Sequence, residues 1–287
     1  MSKKEIDEIS GVETTGHEWD GIKELNTPMP RWWLWTFYGT IVWAVIYCIL
    51  YPAIPLINGA TPGILGYSSR GELAKNVAAA EEAKAEFVTQ IEGMEVGAVL
   101  ENSELTRFAV AGGESAYKVY CSQCHGAGAS GAEGYPNLND DEWLWGGSID
   151  QIYHTIAHGV RYEADDETRF GEMPAYGEFW ERDQINATAN YVASLSGLEH
   201  DEAYLDEGKT LFEENCAACH GENAGGIAEL GAPDLSNAIW LYGGSVEAIA
   251  AQIRDPQHGA MPAWQERLGD ATVKQLAVYV HSLGGGQ

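Results

Sequence analysis

The sequence predicts a mainly α protein: one N-terminal transmembrane helix followed by two tandem helical modules. Three observations carry this reading. Residues 32–69 hold no Asp, Glu, Lys or Arg and separate a polar head from an acidic body. The body repeats itself in matched blocks, the signature of duplicated domains. Amphipathic segments in each copy have the helical period, and no alternating strand pattern lies between them.

The head, residues 1–31, carries four basic and seven acidic residues. The uncharged stretch opens on Trp32, Trp33 and Trp35 and runs through Ile41–Leu50. Residues 32–53 form a 22-residue segment that as a helix reaches roughly 33 Å, enough to cross the hydrocarbon of a bilayer. A buried core helix is the alternative, but the length and the absence of charge favour a span. Arg31 and the Trp cluster fit an interfacial anchor, and Pro52 and Pro55 end the helix. The run is too long, and the head too long and acidic, for a cleaved signal peptide. Lys3, Lys4, Lys23 and Arg31 precede the span, and the next basic residues are Arg70 and Lys75. This bias places the N-terminus in the cytoplasm and the body outside. Cys48, inside the span, reads as a packing residue.

Residues 54–103 form a linker. Gly59, Pro62, Gly63 and Gly66 make its start irregular. Ser69 with Glu72 fits a capping box, and an Ala- and Glu-rich helix over 70–92 closes at Gly93.

Two modules follow, at 104–198 and 201–287. Cys121, Cys124 and His125 match Cys216, Cys219 and His220 at a shift of 95, while Trp143 and Gly146–Gly147–Ser148 match Trp240 and Gly243–Gly244–Ser245 at 97. Met173–Pro174 matches Met261–Pro262, and Tyr191 matches Tyr279, at a shift of 88. The first module therefore carries about nine extra residues near the acidic run 162–168. First helices are expected at 108–120 and 209–215, and last helices at 182–195 and 270–283. Modules this small, with long Gly-rich loops, have little aliphatic core and call for a cofactor or another staple.

Cys-x-x-Cys-His is the attachment signature of c-type haem. Two thiols about a helical turn apart can each bond one haem vinyl group, and the next residue, His, then lies beneath the iron. The motif occurs twice, which implies two covalently bound haem c groups on Cys121, Cys124, Cys216 and Cys219. A four-cysteine zinc site is the runner-up, and a redox dithiol the third reading. Neither explains the repeated His or the repeated Met-Pro. Met173 and Met261 are the sole methionines of their modules, and as sixth ligands opposite His125 and His220 they would fill each iron and raise its potential. Irons with both axial sites filled carry electrons and offer substrate no vacancy, so no catalytic residue is expected. The ligands are assigned within each module by default, with exchange of Met between modules left open. His154, His158, His258 and His281 read as surface or haem-edge residues. Arg161 and Trp145 are candidates to meet haem propionates.

The modules resemble class I cytochrome c domains. The segment Trp19–Asp20–Gly21–Ile22–Lys23–Glu24–Leu25–Asn26, then Pro28, Pro30 and Arg31–Trp32–Trp33 directly before a single span, resembles the head of the di-haem subunit family (CcoP/FixP) of cbb3-type cytochrome c oxidases. The resemblance covers nearly the whole chain. It implies an anchor in a bacterial inner membrane with the haem domains in the periplasm. It also implies electrons arriving from a bc-type complex through a soluble or anchored cytochrome c, then passing to a mono-haem subunit and a haem–copper catalytic subunit. In that family the carbonyl of a Pro after each haem motif supports the proximal His, which maps to Pro136 and Pro233. The modules alone also fit a stand-alone anchored di-haem cytochrome, the cytochrome subunit of a periplasmic dehydrogenase, or a haem-based gas sensor with a labile ligand.

Net charge sharpens the partner class. Of the formal −27, −20 lies after residue 120, which repels nucleic acid and attracts a basic protein face. Five cysteines are too few for a disulfide scaffold, and 45% hydrophobic residues are too many for an acidic disordered chain.

Overall fold

The computed structural model describes residues 5–285. Lys3 and Lys4, used in the charge argument above, lie outside the described residues. The chain divides into two units, with the boundary between Ala83 and Lys84.

The first unit opens with an antiparallel hairpin, β1 (Thr14–Trp19) and β2 (Ile22–Leu25), in which Trp19 pairs with Ile22. Its turn residues Asp20 and Gly21 have φ of 48° and 85°, the type I′ geometry that matches strand twist. Helix α1 (Arg31–Leu50) follows, and none of its residues is buried. Twenty residues give about 30 Å of helix, long and apolar enough to cross the hydrocarbon of a bilayer. Trp33 stacks on Phe37, Trp43 on Tyr47, and Tyr47 on Tyr51, all at i,i+4 spacing. The helix stops before Pro52, whose ring forces Tyr51 into extended backbone (φ −118°, ψ 162°). A two-residue pair, β3 (Pro55–Leu56) with β4 (Gly59–Ala60), returns the chain to the helix end. There the amides of Ile64 and Leu65 donate to the carbonyls of Ile49 and Leu50, satisfying acceptors with no intrahelical partner. Gly63 has φ +67° and lies against Leu50 O, so no side chain fits.

Helix α2 (Ser69–Glu92) matches the expected linker helix. Its cap differs by one residue. Ser68, not Ser69, accepts from Gly71 N at 3.2 Å. Ser69 already belongs to the first helical turn, so its hydroxyl is not placed as a cap.

The second unit contains α3 (Val96–Glu101), α4 (Ser103–Tyr120), the short α5 (Ser122–His125), α6 (Ile149–His158) and α7 (Arg182–Leu195). It continues with α8 (Leu205–Asn215), the short α9 (Ala217–His220), α10 (Val246–Arg254), α11 (Gln265–Leu268) and α12 (Asp270–His281). Two hydrophobic cores form, and each draws on both sequence repeats. The first joins α3, α4 and α6 to α12, around Leu105, Tyr117, Ile152, Ile156, Val273, Leu276 and Val280. The second joins α7 to α8 and α10, around Ile185, Val192, Phe212, Ile249 and Ile253. The repeats 104–198 and 201–287 have thus exchanged their last helices, in the manner of a domain swap within one chain.

The connection between repeats gives the physical reason. Only residues 196–204 separate α7 from α8. A short link makes consecutive helices antiparallel neighbours. Gly197, at φ +68°, ends α7, and Leu198 N bonds Ala193 O at 3.0 Å. Asn190 Oδ1 then accepts from Asp201 N at 2.8 Å, closing the turn. With α7 docked on α8, α4 takes α12. Both crossings use the same device. A Cβ on Gly113 would stand 2.1 Å from Gln275 O, and one on Gly208 would stand 2.1 Å from Ala187 O. Each glycine brings two helix backbones together beside a matched tyrosine, Tyr279 or Tyr191.

The end of α2 is built into the first core. Ile91 is fully buried, and Phe87 stacks on Phe108. Lys274 of α12 is 8% exposed and donates to the carbonyls of Ile91, Glu92 and Met94 at 3.3, 3.1 and 2.7 Å. A buried ammonium thereby caps the helix C-terminus, where the backbone dipole is negative. Asp270 balances the charge at 2.6 Å.

Candidate functional site

Each Cys-x-x-Cys-His motif sits where a long helix gives way to a one-turn helix. α4 runs into Cys121 and α5, and α8 runs into Cys216 and α9. The amides of Cys124 and His125 both bond Cys121 O, and those of Cys219 and His220 both bond Cys216 O. The turn therefore has the same backbone hydrogen bonding in both motifs. Gly126 and Gly221, at φ 79° and 82°, take the chain out of it.

The two histidines are oriented alike. His125 Nδ1 lies 3.1 Å from Pro136 O, and His220 Nδ1 lies 3.1 Å from Pro233 O. With Nδ1 donating to a carbonyl, Nε2 is the unprotonated atom available to a metal. Burial holds both imidazoles below their ordinary pKa, against the opposing carbonyl bond, so they stay neutral.

Burial, and then the neighbouring cysteine, pushes the Cys121 and Cys216 thiols up to about 11. A redox dithiol needs a depressed pKa, so that reading loses its ground. The zinc reading needs thiolates converging on one point. Among the described residues no three His, Cys, Asp or Glu side chains form such a group, because the two motifs belong to different cores.

The methionine loops cross over with their helices. Val160 and Met261 exchange both backbone hydrogen bonds at 2.9 Å, and Trp264 N bonds Ile156 O and Ala157 O at 3.1 Å. Met261 packs on the core that contains Cys121. Met173 packs on the core that contains Cys216, and its loop is held there by Tyr176, whose hydroxyl donates to Asn215 O at 2.9 Å. The fold therefore places Met261 on the core that Cys121 borders, and Met173 on the core that includes Cys216. In neither case is that the core bordered by the first cysteine of the methionine's own repeat.

Two buried indole N–H groups, of Trp145 and Trp240, have no hydrogen-bond partner among the described residues. A buried donor left unpaired costs about 1–3 kcal/mol, so both ask for an acceptor from a bound group. Haem propionates are such acceptors. Arg161 and Arg169 each lie 5.8 Å from the Trp145 ring centre. The oriented imidazoles, the paired thiols and these orphan donors fit a covalently held haem. Of these residues, Trp240 and Arg169 are absent from the sequence-based candidates. Trp240 matches Trp143 and not Trp145 in the repeat, and Trp143 spends its N–H on Gly285 O. His258 accepts from Met173 N at 3.0 Å, and His158 lies 3.1 Å from Asp165 while stacking edge-on against His154.

Comparison with known families agrees with this geometry. A family model described as the N-terminal domain of cytochrome oxidase-cbb3, FixP, matches residues 11–58. A second, described as cytochrome c oxidase, cbb3-type, subunit III, matches residues 108–192 and again 203–280. A cbb3-type cytochrome c oxidase subunit FixP of Rhizobium meliloti (strain 1021) is 55% identical over 284 residues, which is 99% of this chain and 98% of that protein. The subunit FixP of Sinorhizobium medicae (strain WSM419) is 54% identical over the same shares. The subunit CcoP of Cereibacter sphaeroides is 49% identical over 96% of this chain and 95% of its own length. With its apolar anchor helix and its haem c attachment motifs, the chain belongs to the FixP/CcoP family, subunit III of cbb3-type cytochrome c oxidases, and is an electron-transfer subunit of that complex.

Proposed function

We propose that the chain holds two haem c groups and relays electrons through them to the catalytic core of the oxidase. Bound haem supplies one-electron transfer at iron. The residues supply attachment, orientation and potential. Cys121 and Cys124 anchor one group, and Cys216 and Cys219 the other. His125 and Met261 would ligate the first iron, and His220 and Met173 the second. The observation that carries this pairing is the packing of each methionine on the core that meets the first cysteine of the other repeat. His and Met together favour a high potential and close the iron to small ligands. Pro136 and Pro233 fix the ring planes through Nδ1.

The donor is a soluble or anchored cytochrome c that takes electrons from a bc-type complex, and the acceptors are the mono-haem and haem–copper subunits. The anchor helix lies in a bacterial inner membrane with the N-terminus cytoplasmic and the haem body periplasmic. Lys23 and Arg31 before the helix support that orientation.

A chain carrying Cys121→Ala and Cys124→Ala keeps only the second attachment motif. In that background, Met173→Ala is expected to open the remaining iron to carbon monoxide and lower its potential, while Met261→Ala leaves its spectrum unchanged. The reverse result restores pairing within each repeat. The number of groups is read from a haemochrome assay on the unaltered chain.

A further inference from the structure

Arg161 occupies a singular position between the two methionine loops. Its Nε donates to Gly171 O at 2.8 Å, and its Nη1 donates to Gly259 O at 2.7 Å. Gly171 and Gly259 are matched residues of the two repeats, and each lies two positions before its methionine, Met173 or Met261. One side chain, present in one repeat only, therefore bonds the equivalent carbonyl of both loops.

The backbone of Arg161 is fixed as tightly as its side chain. Val160, the residue before it, forms the two-way backbone bridge with Met261, and Arg161 N bonds Arg169 O at 2.8 Å. Arg161 has φ +49°, a left-handed conformation that a non-glycine residue adopts at a cost of about 1 kcal/mol or more. Gly171 is equally confined, since a Cβ there would stand 2.2 Å from Leu230 O. The guanidinium is partly buried, and among the described residues no carboxylate lies within ion-pair distance of it; Glu172 and Tyr242 act on its charge only from farther away. It is thus a cation held by two carbonyl dipoles between the two methionine loops.

We propose that Arg161 is a positioning residue common to both haem sites, a clamp that holds the Met173 and Met261 loops as one body so that both thioether ligands are kept or lost together. This rests on the reading of Met173 and Met261 as iron ligands. Arginine suits the role because its planar fork presents donors at fixed separation to two acceptors. Lysine is a single point donor on a flexible stem and cannot hold both carbonyls in register. A fixed positive charge between the two methionine loops would also favour the reduced form of an iron bound at either loop.

The test uses the full-length holoprotein in detergent, with Arg161→Gln and Arg161→Lys. Four measurements are made: haem content, the long-wavelength absorption band of Met-ligated ferric haem, carbon monoxide binding by the ferrous form, and the two midpoint potentials. Arg161→Gln is expected to weaken the band at both haems, admit carbon monoxide at both irons and lower both potentials. Arg161→Lys is expected to keep potentials nearer to the parent while losing the band at both haems at a lower pH than the parent. A band and potentials unchanged in Arg161→Gln, or a change confined to one haem, overturns the clamp. If Arg161→Gln lacks its full haem complement, Arg161→Lys decides alone, and a parental band across the pH range then overturns it. Met173→Ala and Met261→Ala separate the two readings. If neither removes one haem's share of the band, the ligand assignment fails. If both do while Arg161→Gln leaves the band whole, only the clamp fails.

Discussion

Gly208→Ala tests the helix exchange where it is tightest. The new methyl would stand 2.1 Å from Ala187 O and 2.7 Å from Tyr191 Cβ, where ordinary contact begins at 3.4 Å. Both obstacles belong to α7, the last helix of the other repeat. The two helices must therefore part by about 1 Å, a backbone shift that overpacking measurements place near the upper end of roughly 1–3 kcal/mol. Alanine returns up to about 1 kcal/mol in helix propensity. The net expectation is a loss of about 2 kcal/mol, which for a unit of about 200 residues lowers Tm by roughly 4–8 °C. Gly113→Ala meets Gln275 O at 2.1 Å and Tyr279 Cβ at 2.6 Å and should behave alike. Gly97→Ala is the control. Its only neighbour is Ile149 Cγ2 at 3.9 Å, so it should be neutral or slightly stabilising. The assay is thermal unfolding of the holoprotein followed by circular dichroism. If Gly208→Ala and Gly113→Ala melt at or above the parent temperature, these crossings are not as described.

Other perturbations reach different parts of the molecule. Lys274→Met removes the side-chain donor to three carbonyls and the counter-charge of Asp270, and should cost about 3 kcal/mol in the same melting assay. Burial raises the Asp270 pKa, but hydrogen bonds from Lys274 and Tyr153 outweigh it and hold the carboxyl below its ordinary 3.8. A depressed carboxyl contributes stability above its unfolded pKa and loses it as pH falls through the folded value. Asp270→Asn should therefore flatten the acid limb of stability below about pH 4. Trp145→Phe and Trp240→Phe each remove an N–H that has no protein partner, so a change in midpoint potential with little change in Tm is expected. Unchanged potentials in both would show that neither indole meets a bound group. Electron transfer from a basic cytochrome c should slow roughly tenfold or more as salt rises, because the body carries −20. A rate independent of salt would make the charge a solubility feature alone.

The features legible in the sequence are those that local chemistry fixes. A charge-free run of helical length can only be a span or a deep core helix, and α1 is unburied throughout. The attachment motif is legible because its three residues act within one helical turn, and the supporting carbonyls of Pro136 and Pro233 followed from family resemblance. The strands of the head hairpin are too short to show alternation, and only Asp20–Gly21 between Trp19 and Ile22, a type I′ signal, marks it in the sequence. The cap of α2 was misplaced by one residue because adjacent serines, Ser68 and Ser69, offer the same hydroxyl.

The sequence by itself determined the apolar helix, the duplication, and where the paired cysteines, their adjoining histidines and the two methionines fall in each repeat. Each depends on residue type and near spacing. Only the tertiary structure decided which methionine shares a core with which cysteine motif. The matched glycines Gly113 and Gly208, and the matched tyrosines Tyr279 and Tyr191, make either pairing of first and last helices sterically equivalent. Periodicity cannot distinguish them. The choice falls to the short connection 196–204, which lays α7 on α8 and leaves α4 to α12. The loops carrying Met173 and Met261 precede those helices in the chain and travel with them.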